Sequence, residues 1–459
     1  MSSSVLRIKP EEIDTAEKRG KYIVSIIGCG QMGVLHACLF AEAGFKVKCS
    51  DANQTIINSI MRGKAPFLKH EEELKLKNYV KNGLLDATTD VKTAVSQSDV
   101  IVITIPAKIN DKKQVDYSDI ENSCKKVGTS LRQGSLIIIL STVGLEVTEG
   151  LIKEILESAS GFKVGVDLGL AYSPIRTPDE QTIEALTDHE RIVAAADKNS
   201  LNAALAILEV TIKKGLKKTG NIKVAEAVTL FEGVHLDVNI ALANELALIC
   251  EKAGLDFQEV YQLMKTEDYP RLSLPTLDNE NIWDEPHLLL EDAENLDLKL
   301  RIPAIAREIN EETTKHAVNL TKDALRNCEK TLRRARISLL GISQTPNMKS
   351  PPKKVAKEIA KMLEAKGAKV SLYDPYLSSG EFVGMQHPLK KNLNEAVEGA
   401  DCILILTGHD QFKRLNLRRL KVMMKMPAAI VDFEGTVEPD KVEKEGFVYR
   451  GLGRGVWTR

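Results

Sequence analysis

Short runs of unbroken apolar residues alternate with amphipathic stretches through the first 220 residues. The runs at Ile23–Ile27, 46–49, 99–106, 135–143, 164–174 and 191–197 have strand length and little alternation of polarity. That is the mark of strands covered on both faces. Between them, the segments after Gly33 and at 117–131, 144–160 and 199–214 carry the helical period. Strand and helix in regular alternation predict a mostly parallel, doubly wound sheet.

The pattern changes at 222–265. Apolar residues there occupy most of a helix circumference, with few breakers until Gly254, so a long helix buried on several sides is expected, followed by a shorter one at 257–265. A second long helix is predicted from about 297 to 332, with Pro303 marking its start or a kink. Exposed flanks on two such helices predict a homodimer. From 335 onward the alternation returns, with strands at 335–343, 369–375, 401–409 and 428–435, and a helix at 351–368. The last segment, FVYRGLGRGVW, reads as glycine turns carrying Arg450 and Arg454.

One strand-to-helix junction carries chemistry. The sequence IVSIIGCGQMG places Gly28, Gly30 and Gly33 where a strand ends and a helix opens, and Asp51 closes the next strand. Gly28 allows a tight turn, Gly30 lets a pyrophosphate approach the backbone, and Gly33 lets helix pack on strand. The helix amino terminus offers unpaired N–H groups to the phosphates, and a carboxylate at Asp51 suits ribose hydroxyls over a 2′-phosphate. NAD is the cofactor implied. Its expected contacts are Gly28, Cys29, Gly30, Gln31, Met32, Gly33 and Asp51, with Pro106 and Thr142 at the ends of later strands. The fold class is therefore α/β, two Rossmann-like doubly wound lobes joined by a long central helical domain. The expected divisions are an extension at 1–20, an NAD-binding lobe at 21–220, the helical domain at 221–332 and a second lobe at 333–459. That lobe repeats the strand–helix–strand–acid plan around Asp374 without the three glycines, so no second NAD is placed there.

Composition narrows the partners. The 459 residues are 43% hydrophobic and 28% charged, with a formal charge of −1, which gives no global reason to bind nucleic acid or an anionic membrane. The seven cysteines are scattered singly and read as buried thiols in a reducing compartment. The eight histidines do not cluster at ligand spacing, and no metal is expected. The first 20 residues are polar and lack a signal-type apolar stretch, and no 18 consecutive apolar residues occur, so a cytoplasmic protein that does not enter membranes is expected.

From about residue 21 to 455 the chain resembles the UDP-glucose/GDP-mannose dehydrogenase family. The resemblance is carried by TTDVKTAVSQSDVIVITIP (88–106), STV (141–143), DVNIALANELALICEKAGLD (237–256), AREINE (306–311), KGAKVSLYDPY (366–376) and LTGHDQFKRL (406–415). Those stretches are most similar to the branch that acts on UDP-N-acetyl-mannosamine. The resemblance implies a nucleotide-sugar substrate whose C6 alcohol is oxidised twice, with two NAD molecules and a cysteine that traps the aldehyde as a thiohemiacetal and then a thioester. It also implies a lysine and an asparagine on the central helix, and a glutamate and a threonine that manage water.

Most of those positions differ here. Asn281 stands in the apparent nucleophile position, Thr229 and Gly233 stand at the helix pair, and Ile175 replaces the glutamate of an SPE motif. In the second lobe GISQTPNMKSPP replaces a stretch that holds a lysine and an arginine in the family. Thr142 is retained. Asparagine forms no thioester and isoleucine activates no water, so the double oxidation is not expected. Three readings remain open: an NAD-dependent oxidoreductase with an altered substrate or halted chemistry, a non-catalytic NAD- or ligand-binding protein, and a redox-neutral enzyme using bound NAD. For catalysis the candidates are Thr142 and, on one side of the central helix, Glu232 and His235, with Asn239 one turn on. The substrate is expected to be a small molecule, a nucleotide sugar or another phosphorylated or carboxylated metabolite. Arg176, Arg271, Arg450 and Arg454 are candidate anion contacts, each with a structural ion pair as its alternative. Tyr172 and Thr177 flank the missing glutamate, and Trp283 is read as filling the space of the family's glycine-rich loop.

Overall fold

A computed structural model describes residues 5–65, 67–110, 112–175, 182–265, 272–277, 284–377 and 389–458. The chain divides into two compact units, Met1–Val234 with Asp284–Lys299, and His235–Trp283 with Leu300–Arg459.

The first unit is built on an eight-stranded sheet. Its strands are β1 (Ile23–Ile27), β2 (Lys46–Ser50), β3 (Leu85–Thr88), β4 (Val100–Ile103), β7 (Leu136–Ile139), β8 (Gly169–Tyr172), β9 (Arg191–Ala195) and β10 (Leu216–Thr219). A small hairpin, β5 (Lys108–Ile109) and β6 (Val115–Asp116), stands apart. Strand order is β10-β9-β8-β7-β4-β1-β2-β3, so the winding reverses at β1 and opens a crevice beyond the carboxyl ends of β1 and β4. Every residue of β4, β7 and β8 is buried, which explains why their sequences lack alternation. One strand pair departs from the parallel plan: β9 runs antiparallel to β8, with Tyr172 opposite Ala194.

The second unit carries a parallel five-stranded sheet in the order β12-β11-β13-β14-β15. Its strands are β11 (Arg336–Leu340), β12 (Lys369–Tyr373), β13 (Cys402–Ile405), β14 (Ala429–Asp432) and β15 (Val448–Gly451). The glycine-rich tail is thus partly a strand, because Tyr449 and Arg450 bury against the sheet before the glycines turn the chain. Arg450 is 1% exposed and its Nε donates to Asp323 at 2.8 Å. Arg454 pairs with Asp256 at 3.1 Å and stacks on Trp457. Both arginines serve structural ion pairs.

The central helix spans Ile222–Ala253 and stops at Gly254, whose φ of +71° ends it as the sequence predicts. Asp256 then caps the helix Phe257–Met264 by accepting from the Gln258 N–H at 3.1 Å. The second long helix, Arg301–Asn327, is shorter at both ends than its sequence pattern suggests. Pro303 lies in its first turn, where a missing N–H costs nothing. An acidic helix, Asp284–Asn295, was not foreseen in the sequence. The central helix is long and apolar enough to cross a bilayer by length and hydropathy. However, its buried Asp237 meets Asn310 Nδ2 at 2.9 Å and Arg307 Nε at 3.2 Å, and its buried Glu226 is engaged by backbone N–H groups, so polar protein partners surround it. All seven cysteines are buried and unpaired.

Candidate active site

The glycine loop has the shape its sequence calls for. Gly28 holds φ at +96°, a conformation that side chains disfavour, and its N–H donates to Ser50 at 2.9 Å. A Cβ on Gly33 would stand 1.9 Å from the Gly28 carbonyl oxygen, so helix and loop touch there through bare backbone. A Cβ on Gly30 would meet nothing within 4 Å. The open space faces the start of the helix Gln31–Glu42, whose cap is Gly30 itself and supplies no side-chain acceptor to the first N–H groups. Asp51, half-buried at the end of β2, accepts from Cys29 N–H at 2.7 Å with one oxygen and from Asn53 N–H at 2.8 Å with the other. Each oxygen keeps lone-pair capacity for a ribose hydroxyl.

The other expected contacts lie around this crevice. Cys29 is buried beneath the loop, while Gln31 and Met32 are half-buried at the helix start. Pro106 is exposed beyond β4, and Thr142 is half-buried beyond β7. Thr104 Oγ1 donates to the Gly28 carbonyl at 2.7 Å and holds the loop. The helix is braced from behind by His36, whose Nδ1 lies 2.7 Å from the Met32 carbonyl and whose Nε2 lies 2.9 Å from Arg191. Burial, aided by Arg191, pushes His36 down to about 3, so the ring is neutral. The uncapped helix end, the open face at Gly30 and the available carboxylate together fit a dinucleotide.

Carboxylates order the segment that follows Thr142. Asp292 accepts from Leu145 N–H at 2.7 Å, Glu226 accepts from Glu146 and Thr148 N–H at 2.7 and 3.0 Å, and Tyr117 hydroxyl accepts from Gly144 N–H at 2.9 Å. A Cβ at Gly144 would come within 2.8 Å of the Tyr117 hydroxyl and 2.9 Å of Asp292 Oδ1, so a larger residue would displace those side chains. Burial pushes Glu226 up to about 7 and raises Asp292.

The positions that the resemblance assigns to chemistry are rebuilt. Thr229 is buried and its hydroxyl donates to the Ala225 carbonyl at 3.2 Å. Gly233 is covered by Glu285 of the acidic helix, whose Cβ and Cγ would lie 2.5 and 2.7 Å from a Cβ at that glycine. Burial pushes the half-buried Glu285 up to about 7. Ile175 packs against the core of the first lobe. Neither Cys250 nor Cys328 offers a ready thiolate, because both are buried and burial raises both thiols. Glu232 is half-buried, His235 is exposed, and Asn239 accepts from Ser273 N–H at 3.1 Å. Asn281, Trp283, Arg176, Thr177 and Arg271 lie outside the described residues.

The corresponding end of the second lobe is closed. Asp374, 2% exposed, accepts from Ile342 and Ser343 N–H with one oxygen, both at 2.9 Å, and from Tyr376 N–H with the other. Buried His409 adds a contact at 3.2 Å from Nε2. Burial would raise Asp374, but the hydrogen bonds from His409 and the backbone outweigh it and leave the carboxyl below its usual range.

Comparison with known proteins agrees with this architecture. The NAD-binding domain of the UDP-glucose/GDP-mannose dehydrogenase family matches residues 22–211, its central domain matches 223–312, and its UDP-binding domain matches 338–439. A UDP-N-acetyl-D-mannosamine dehydrogenase of Methanococcus maripaludis is 28% identical, over 96% of this chain and all of that protein. The structure of a UDP-D-ManNAc dehydrogenase from Pyrococcus horikoshii superposes with a TM-score of 0.86 at 28% identity, covering 95% of this chain and all of that one. An NDP-N-acetyl-D-galactosaminuronic acid dehydrogenase from Methanosarcina mazei superposes with a TM-score of 0.78 at 27% identity, covering 98% and 99% of the two chains. With its NAD lobe, central helices and second α/β lobe all matched in order, the chain belongs to the UDP-glucose/GDP-mannose dehydrogenase family, and NAD is its cofactor.

Proposed function

We propose that this protein is an NAD-dependent oxidoreductase that transfers one hydride from an alcohol and does not perform the cysteine-dependent double oxidation. The observation that carries this reading is the rebuilt helix pair: Thr229 is buried and Gly233 is covered by Glu285. A threonine and a glycine supply no cation beside a developing alkoxide, and Asn281 supplies no thiol. Gly28, Gly30, Gly33 and Asp51 bind the cofactor in this reading, with Cys29, Gln31, Met32, Pro106 and Thr142 along its path. Thr142 is placed at the reacting end, and Glu232 and His235 are kept as further candidates. The similarity to UDP-N-acetyl-mannosamine dehydrogenases supports a nucleotide sugar as substrate.

A homodimer in the cytoplasm completes the proposal. Leu242, Leu248 and Ile249 of the central helix and Ile302 and Ile305 of the second long helix are large apolar side chains left exposed within the second unit. Sedimentation of the purified protein tests the assembly. For the chemistry, absorbance at 340 nm is followed with NAD and UDP-N-acetyl-mannosamine or UDP-glucose. The expected yield is at most one NADH per sugar. Two NADH per sugar overturns the reading, and tight NAD binding without reduction by any alcohol transfers support to a purely ligand-binding role.

A further inference from the structure

The chain's formal charge of −1 hides a division. Residues 333–459 hold 23 lysines and arginines against 14 aspartates and glutamates, a charge of +9, and the rest of the chain carries −10. In the second lobe much of this excess gathers at one edge of the sheet. Because β11 to β15 are all parallel, their first residues share the edge opposite the carboxyl ends that form ligand crevices in such folds. Arg336 and Lys369 open β11 and β12 as register partners, and Arg334 N–H in the turn before them donates to the Gly367 carbonyl at 2.7 Å. Arg333, Arg334, Arg336, Lys366 and Lys369 are all exposed. The helix Leu417–Met423 ends at the same edge. Its Met423 carbonyl accepts from Gly399 N–H at 2.8 Å, and Lys425 N–H donates to the Ala400 carbonyl at 3.0 Å, both in the turn before β13. This segment adds Arg419, Lys421 and Lys425, also exposed. A Cβ at Gly446, just before β15, would lie 3.5 Å from Lys421 Nζ. The cations therefore run from β12 to β15, a width of about 19 Å at ordinary strand spacing.

Little cancels this charge. None of these side chains forms an ion pair among the described residues. Asp401, in the middle of the edge, accepts from Arg336 N–H at 2.8 Å and pairs with Lys330 at 2.7 Å. Glu445 accepts from Arg418 Nε at 3.2 Å. Glu329, Glu398 and Glu443 are exposed nearby and are outnumbered. Beside Lys421, on the same helix, Val422 is 86% exposed.

We propose that this edge docks the protein peripherally on an anionic lipid surface, with its cations on headgroup phosphates and Val422 at the apolar boundary. Nucleic acid fits the face less well. The cations follow the edge of a sheet, with no exposed aromatic ring among them to stack a base. An exposed valine gains nothing from a phosphate backbone. On a bilayer each cation adds to the attraction, the arginine forks match phosphate oxygens in pairs, and an apolar tip leaves water. The −10 carried by the rest of the chain is repelled by the same surface, so contact is confined to this lobe. Such docking needs no membrane-spanning segment and is independent of the reaction proposed above.

Co-sedimentation of the full chain with unilamellar vesicles tests the proposal. Vesicles of phosphatidylcholine with about 30% phosphatidylglycerol should bind the wild type in about 0.1 M salt and release it in about 0.5 M salt. Vesicles of phosphatidylcholine alone should not bind it. Two paired charge reversals, Arg333→Glu with Arg336→Glu and Arg419→Glu with Lys421→Glu, should each weaken binding about tenfold or more. Both should leave NAD affinity unchanged, since these exposed side chains lie outside the cofactor loop. Lys81→Glu with Lys126→Glu makes the same change in net charge at exposed positions of the first lobe, and should keep binding within about twofold of the wild type. A wild type that stays in the supernatant with anionic vesicles overturns the proposal, and retention of duplex DNA by that protein would then assign the edge to nucleic acid. Equal losses in the first-lobe control and the edge variants also overturn it, because net charge alone would then explain the binding. Should either edge variant fail to fold, the other decides.

Discussion

Asp51 and Asp374 end the second strand of their respective lobes and receive backbone N–H groups from the turn after the first strand, yet only one is available to a ligand. Asp51 is half-buried, takes one N–H on each oxygen, and stands beside a glycine whose outer face is open. Asp374 is 2% exposed, takes three N–H groups and packs on His409. The same strand–turn–strand–acid plan thus gives a cofactor cradle in one lobe and an internal tie in the other. What separates them is whether a side chain of the same lobe uses up the acid.

The largest effects are expected from the two glycines that hold those turns. In Gly33→Val the side chain starts 1.9 Å from the Gly28 carbonyl oxygen, so the helix must leave the loop. NAD affinity should fall by about 100-fold or more, with a loss of roughly 3 kcal/mol in denaturant unfolding. Gly341 has φ of +73°, and its Cβ would lie 2.5 Å from the Thr407 carbonyl oxygen. Gly341→Ala should cost about 2–4 kcal/mol in the same assay and leave NAD affinity unchanged. Equal loss of NAD binding in both would break the contrast.

The acids come next. Asp51→Ala should weaken NAD by about 10–100-fold, which corresponds to one or two lost ribose hydrogen bonds, and should narrow the preference for NAD over NADP. Asp374→Asn should leave NAD affinity alone and cost about 2 kcal/mol of stability. The Asp374 carboxyl is held below its ordinary value, so its stabilisation is present above the unfolded carboxyl pKa and is lost as pH falls through the folded one. Acid unfolding of Asp374→Asn should therefore lose part of its pH dependence below about pH 4.

Glu226 asks whether the open lobe depends on a buried acid of its own. Glu226→Ala leaves Glu146 and Thr148 N–H without their acceptor and should cost about 2 kcal/mol by thermal or chemical unfolding. Its folded pKa is raised to about 7, so the folded state holds the proton more tightly, and stability declines as pH rises from the unfolded value through about 7. The smallest structural effect belongs to Gly30→Ala. Its Cβ meets nothing, so stability should change by less than about 0.5 kcal/mol, while NAD affinity falls about tenfold as the methyl group meets the pyrophosphate.

Both lobes and the long helices were legible because their signals are local. The glycine spacing, the apolar runs at β4 and β7, and Gly254 each act within a few residues of themselves. The antiparallel β9 was not, since five apolar residues define a strand without giving its direction. The acidic helix was hidden by Pro286, which sits in its first turn, and by its place next to the stretch where the resemblance expects a glycine-rich loop. Its most consequential contact joins Glu285 to Gly233, and neither residue signals the other in sequence. Thr229 and Gly233 could be singled out in the sequence, but the residue that packs on Gly233 could be found only in three dimensions. Arg450 and Arg454 failed as phosphate contacts for a similar reason: Asp323 and Asp256 reach them from distant segments.

Calorimetric titration of NAD into the wild type, Asp51→Ala and Asp374→Asn tests the contrast between the lobes most directly. One NAD per chain is expected, with binding lost or greatly weakened in Asp51→Ala and unchanged in folded Asp374→Asn. A second NAD per chain, or a folded Asp374→Asn protein that no longer binds the first, would contradict the account.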